Sequence, residues 1–320
     1  MANTTSNTGA FVNDEQYSSF IYTNLHDMIL PGSFTRDVSD FGSGTTLNIK
    51  TIGTRTIQDA EENTDLSYSP MESNTITFGI TEYVGDAFYI TDDIKEDGSQ
   101  VESLIAASAR ETARAIAEDY ETKFFAKVVN GQTAADPNTV NGFSHRFVGT
   151  GTNQTLAEAD LIKMALAFDK ANVPMSGRVA VVDPVSAAVF NMKMQLTAGL
   201  DRDPMFMKAW NEGFKDGHQF LGNIFGWNIM VSNRLPRVAN GVDVDGTNST
   251  TRDGIANIFM SIADDNTKPV MSAWRRSPRS ETERNKDKRR DETVTTARYG
   301  FGDARQDTRG VIVTSASDLI

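Results

Sequence analysis

The sequence predicts an α+β fold in two lobes, and three patterns carry that reading. An apolar stripe at helical spacing runs from Val101 to Val128, and period-two segments precede and follow it. A second block of helix and strand signals begins after a Gly/Asn/Thr-rich stretch at 131–154. With 320 residues, 39% of them hydrophobic, the chain can bury one large core or two modest ones.

Residues 1–12 are small and polar and read as an arm. Asn13 and Gln16 have capping-box spacing, and Tyr17, Phe20, Ile21, Leu25 and Met28 follow at helical intervals until Pro31-Gly32 stops the helix. From Gly44 the period becomes two. Leu47, Ile49 and Thr51 alternate with Asn48 and Lys50, and later Ile76, Phe78 and Ile80 alternate with Thr75, Thr77 and Gly79. Between them lies TRTIQDAEENTDLSYSPMES, too polar and acidic to pack on itself. It reads as a long hairpin that leaves the body and needs a partner, since isolated two-stranded ribbons are marginal in water.

Ser99 and Glu102 cap the strongest helix, whose inward stripe is Val101, Ile105, Ala109, Ala113, Ile116, Tyr120, Phe124 and Val128, closed by Asn130-Gly131. At 99–130 it is roughly 45 Å long, a spine crossing the subunit. Thr155 and Glu158 predict the next cap, with Leu161, Ile162, Ala165 and Phe168 inward. RVAVVDP is a short buried strand, after which Asp183 caps and Pro184 starts a helix carrying Val185, Val189 and Met192. Residues 197–222 read as irregular. Their Met205, Phe206, Met207 and Trp210 fit either local core packing or a partner-binding patch. WNIMVSN, IANIFMSI and PVMSAW are strands, 236–254 is a loop, and TARYGFGDARQDTRGVIVTSA closes the chain. There is no internal repeat.

Composition excludes more chemistry than it suggests. No cysteine means no disulfide and no thiolate metal site, and His26, His145 and His218 are too far apart in sequence for a His-rich cluster. The N-terminus lacks a signal-peptide pattern and no apolar run approaches ~18 residues, so no membrane span is expected. Asp243-Val-Asp245-Gly246 fails the calcium-loop register because Arg252 falls where a carboxylate is needed. Gly42-Ser43-Gly44 lacks the Lys-Ser/Thr of a phosphate loop, and neither His145 nor His218 sits in a nucleophile–base motif. The reading is a non-enzyme without cofactor or metal.

Charge is unevenly placed. Residues 275–309 hold 11 of the 31 Lys and Arg against 7 acids, whereas residues 1–274 are net −15. RNKDKRRDE, at 284–292, is the densest part. Read as one strand, Thr282, Arg284, Lys286, Lys288 and Arg290 share a face opposite Glu281, Glu283, Asn285, Asp287, Arg289 and Asp291. A helix would stack like charges at i,i+4, and the following Thr293-Val294-Thr295-Thr296 favours a strand. A nucleic-acid grip calls for cations without interleaved acids, together with aromatics, and a solvated ribbon needs no partner. An intersubunit seam of ion pairs explains the segment best. It comprises Arg275, Arg276, Arg279, Glu281, Glu283, Arg284, Lys286, Asp287, Lys288, Arg289, Arg290 and Asp291. Its complement is the hairpin with Arg55, Asp59, Glu61, Glu62, Asp65 and Glu72.

In order along the chain, VPMSGRVAVVDPVSAAVF, LGNIFGWNIMVSNRLP and ARYGFGDARQDTRGVIV, with the arm, hairpin and spine before them, resemble the major capsid proteins of tailed bacteriophages. That fold is shared with encapsulin shells. The resemblance implies an N-terminal arm at 1–45, an extended loop at 46–81, a peripheral domain at 82–152 and 256–320, and an axial domain at 153–255. It further implies hexamers and pentamers closing an icosahedral head around double-stranded DNA, without sequence-specific contact. A portal protein, a separate scaffolding protein and room for a decoration protein follow, in a virion assembled in the host bacterial cytoplasm. Some relatives cross-link through a lysine in the extended loop. Residues 51–75 contain none and only Lys50 stands at the stem, so non-covalent contacts are expected. An encapsulin-like compartment and a soluble acidic enzyme are the alternatives.

Overall fold

The computed structural model describes residues 34–39, 44, 46–52, 57–60, 62–63, 65–68, 70, 73–97, 101–130, 138–151, 154–189, 220–238 and 254–315. The expected helix after Asn13, the Met205–Trp210 cluster, Met192, the Asp243–Gly246 loop, His26 and His218 lie outside these residues.

Along the chain, β1 (Thr35–Asp37) leads to the hairpin strands β2 (Thr46–Ile52) and β3 (Ser73–Gly79), then to β4 (Glu82–Thr91) and the short helix α1 (Asp92–Asp97). The spine helix α2 spans Val101–Asn130. Short strands β5 (Thr139–Val140), β6 (Phe143–Ser144) and β7 (Arg146–Val148) connect it to helix α3 (Glu158–Lys170). Next come β8 (Arg178–Val182), β9 (Phe220–Ile224), β10 (Trp227–Val231), β11 (Arg237–Val238) and β12 (Gly254–Ser261). The long strands β13 (Val270–Asn285) and β14 (Arg290–Asp303) precede the closing β15 (Arg309–Ser315).

Two sheets carry the body. One has the order β1-β13-β14-β4, and the other β7-β15-β12-β8-β10-β9 with β11 added to β12. The larger sheet is sandwiched. Val179, Val181, Ile258, Met260, Val311 and Val313 pack on Phe124, Phe125, Val128 and Val129 of the spine. The alternate residues Ala180, Val182, Phe259 and Ile312 pack on Leu161, Met164 and Phe168 of α3. Burial of both faces explains why RVAVV and GVIV are near-continuous apolar runs with no polar alternation.

The spine unites the sheets. Its Ala109, Ala113, Ile116 and Ala117 lie on Phe88, Val84, Trp274 and Ala297 of the smaller sheet, small residues letting helix and sheet approach. Where the sheets meet, Tyr120 stacks on Trp274 at 5.0 Å and touches Tyr299 and Phe301. Tyr299 donates to Asp119 at 2.6 Å; burial, then that carboxylate, push its phenol far up, so it stays a donor.

Three expectations are corrected. Ile162 is exposed (52%), and Met164 takes the inward place, because the buried face of α3 runs Leu161-Met164-Phe168. Thr155 is not the cap of α3. The helix begins at Glu158, and Asp160 closes its end by accepting from the Ala157 N–H at 2.9 Å and from Thr150. The segment read as irregular to 222 holds β9, joined to β10 through Phe225 (φ 52°) and Gly226 (φ 82°), both left-handed as a two-residue hairpin turn requires. Asp183 caps as expected, its carboxylate accepting from the Val185 N–H at 3.0 Å.

The hairpin base is seated on β14 by two glycines. A Cβ at Gly300 would lie 2.6 Å from the Gly79 carbonyl oxygen, and one at Gly302 would lie 2.3 Å from the buried Phe78 ring. Gly300→Ala should therefore cost about 1–3 kcal/mol. It should lower the melting temperature and loosen the hairpin, as read by proteolysis within residues 53–72. Unchanged melting and cleavage would contradict this seating.

Candidate intersubunit interface

The charged run does not continue as one strand. It turns at Lys286–Arg289, so Arg284 faces Asp291 and Glu283 faces Glu292 across the β13–β14 ribbon. Asn285 Oδ1 accepts from the Lys288 N–H at 3.2 Å and Arg289 takes φ 48°, a local turn that a run without apolar residues does not resist. The expected sorting of 281–292 into a cationic and an acidic face therefore fails beyond Asn285.

Arg284 points to the helix side of the ribbon. It grips Asp92 of α1 at 2.7 and 3.0 Å and Asp291 at 3.3 Å, and Lys95 pairs with Asp291. The Arg284 bond holds the Asp92 carboxyl below its usual range, so the staple persists above that range and is lost as pH falls through the depressed value. Arg284 and Asp291 are thus stapled inside the subunit. Arg290 faces the other way, bonding Glu292 at 2.6 Å and covering the Tyr89 ring at 4.2 Å.

That outer face of the smaller sheet bears no helix among the described residues. Tyr83 (64% exposed), Tyr89 and Val294 stand there beside Arg276, Arg279 and Arg298. Arg276 bonds Thr296 at 3.4 Å, and Arg279 pairs with Glu281 at 3.3 Å. Arg275 and Glu283 are exposed on the same strand, and Lys286, Asp287, Lys288 and Arg289 form the exposed tip of the ribbon. Among the described residues β13 is an edge strand beyond Ser272, guarded by Pro278 and two register breaks, which disfavours pairing by a further strand.

The hairpin offers the opposite character. Asp59, Glu62 and Asp65 are exposed, and Ile57 and Tyr68 are each 98% exposed. Gln58 holds the two limbs together, its amide bonding both the N–H and the carbonyl of Ser67 at 3.0 Å. Arg55, Glu61 and Glu72 lie outside the described residues. No ion pair among the described residues joins Asp59, Glu62 or Asp65 to the ribbon of the same chain. Sequence reasoning missed Tyr83, Tyr89 and Arg298, since only the β4–β14 register puts them on one face.

Among the described residues no three His, Asp or Glu side chains gather as metal ligands, and no helix is long and apolar enough to cross a membrane. With a hairpin, a ribbon and a spine as its distinctive parts, the chain matches the sequence model of the phage capsid protein family over residues 73–314. The chain belongs to that family. This capsid protein is also similar in fold to solved shells. The cyanophage P-SCSP1u capsid matches with TM-score 0.62 and 17% identity, covering 89% of this chain and 87% of the other. The cyanophage Pam1 capsid matches with TM-score 0.61 and 14% identity over 93% of each. A virus-like particle from Pyrococcus furiosus matches with TM-score 0.53 and 10% identity, over 94% and 99%. No match was found among curated proteins. The α+β capsid fold and a structural role follow.

Proposed function

We propose that this capsid protein is the major shell subunit of a phage head, forming hexamers and pentamers through non-covalent contacts, and that it catalyses no reaction. The hairpin carries the reading. It presents two almost wholly exposed large apolar side chains among acids, a surface that is stable only when covered. The acidic hairpin of one copy lies against the cationic half of the next copy's outer sheet face. There Asp59, Glu62 and Asp65, with Glu61 and Glu72, meet Arg276, Arg279 and Arg298, while Ile57 and Tyr68 anchor on Tyr83 and Val294. The ribbon tip at Lys286–Arg289 supplies further contacts.

On this reading the chain divides into an arm at 1–45, an extended loop at 46–81, a peripheral domain at 82–152 and 256–320 containing the spine, and an axial domain at 153–255. The head encloses double-stranded DNA, repelled from the wall by the net charge of −12. Partners are a separate scaffolding protein and a portal, and the outer surface leaves room for a decoration protein; assembly takes place in the host cytoplasm.

Replacing Ile57 and Tyr68 together by aspartate tests the docking. Folded subunits that give at least tenfold fewer shells by sedimentation are expected, since central apolar anchors dominate such contacts. Normal assembly would remove the hairpin from the interface.

A further inference from the structure

The strap from Asn138 to Leu156 joins the spine to α3, and His145 is its anchor. The imidazole is wholly buried against the Phe168 ring at 5.5 Å. Its Nδ1 lies 3.2 Å from the Phe143 carbonyl oxygen. A carbonyl only accepts, so the neutral ring carries its proton on Nδ1 and leaves Nε2 bare. That Nε2 is buried with no hydrogen-bond partner among the described residues. The backbone of His145 fastens the strap twice: its N–H donates to Asn138 at 3.1 Å, and its carbonyl accepts from the Val311 N–H of β15 at 2.8 Å. The adjoining β7 is the outermost strand of the larger sheet and pairs with β15 over only three residues, with Gly149 adding a bond to Val313.

The charged groups around the ring are engaged elsewhere. Arg146 follows it in the chain and is buried, and the buried Arg309 at the start of β15 pairs with Asp303 at 2.7 Å. Asp307, the one acid whose field favours imidazolium, is engaged by Arg305 at 2.8 Å. On α3, Lys163 and Lys170 cover the Phe147 and Phe143 rings, Asp169 is held by Arg178, and Asp160 by Thr150. Burial accordingly holds the imidazole below its usual pKa.

We propose that His145 makes this strap an acid-sensitive latch: a proton on Nε2 is accommodated only when the strap lifts from β15, so acid releases the outermost strand β7 from the larger sheet. The sign follows from linkage. A histidine whose folded pKa is depressed contributes stability that is complete above the free value near 6.5 and is lost as pH falls below it. Between pH 8 and pH 5 the opening equilibrium can shift by up to about 30-fold.

Hydrogen exchange on the full-length chain tests this, with rates corrected for intrinsic pH dependence. From pH 7.5 to pH 5.0 the Val311 and Gly149 amides should lose protection several-fold, while the β13–β14 ladder keeps its own. His145→Gln, which cannot titrate, should remove the difference. Unchanged strap protection in the wild type would overturn the latch, as would an equal loss across the β13–β14 ladder or the same pH response in the variant. Should His145→Gln fail to fold, the wild-type comparison of strap and ladder still decides.

Discussion

Replacing Arg178 by leucine should lower stability by about 2–4 kcal/mol, because two carbonyls at a buried site lose their donor, while the exposed Asp169 adds little. The guanidinium is almost wholly buried and satisfies Asp169 at 2.6 Å and the carbonyls of Val173 at 2.8 Å and Pro174 at 3.0 Å. It also lies over the rings of Phe168 and Trp227. Leucine would leave those carbonyls without a donor at the junction of α3 and β8. Arg178→Lys should recover only part of the loss, because an ammonium cannot reproduce the planar fork. A melting temperature about 5–10 °C lower for the leucine variant is expected. An unchanged value would mean that this arginine does not organise the second core.

Reversing Arg276, Arg279 and Arg298 to glutamate should reduce shell yield at low salt by more than tenfold while leaving the subunit folded, since these side chains sit on the outer sheet face. Reversing Asp59, Glu62 and Asp65 to lysine should fail similarly alone, and combining the two sets should restore shells. High salt should weaken the wild-type contact. If the combined variant assembles no better than either set alone, the hairpin and the sheet face are not partners. Arg284 is not a clean probe of the seam, because its reversal breaks the staple to Asp92 within the subunit.

The sequence made the large apolar features legible. The stripe from Ile105 to Val128, the doubly buried RVAVV and the solvated hairpin all follow from periodicity, because burial there is set by local spacing. It failed where tertiary neighbours decide. Ile162 and Met164 are equivalent to a pattern reader, and only packing on the larger sheet chooses between them. The ribbon turn at Lys286–Arg289 contains no Gly or Pro, so charge alternation suggested a strand where Asn285 and Arg289 make a bend. Phe225 in a left-handed turn position is equally opaque. Arg298 and Tyr83 become one surface only through the β14–β4 register. The glycines of GFG carried a signal that could have been used, since alternate glycines in a strand mark close backbone approach.

This chain is expected to assemble with itself into a closed shell. Electron microscopy of the purified protein, produced with and without a co-expressed scaffolding partner, tests it most directly. Icosahedral particles built of hexamers and pentamers, falling to monomers in denaturant without covalent cross-links, are the expected result. A monodisperse monomer under every condition of scaffold, salt and concentration would contradict it.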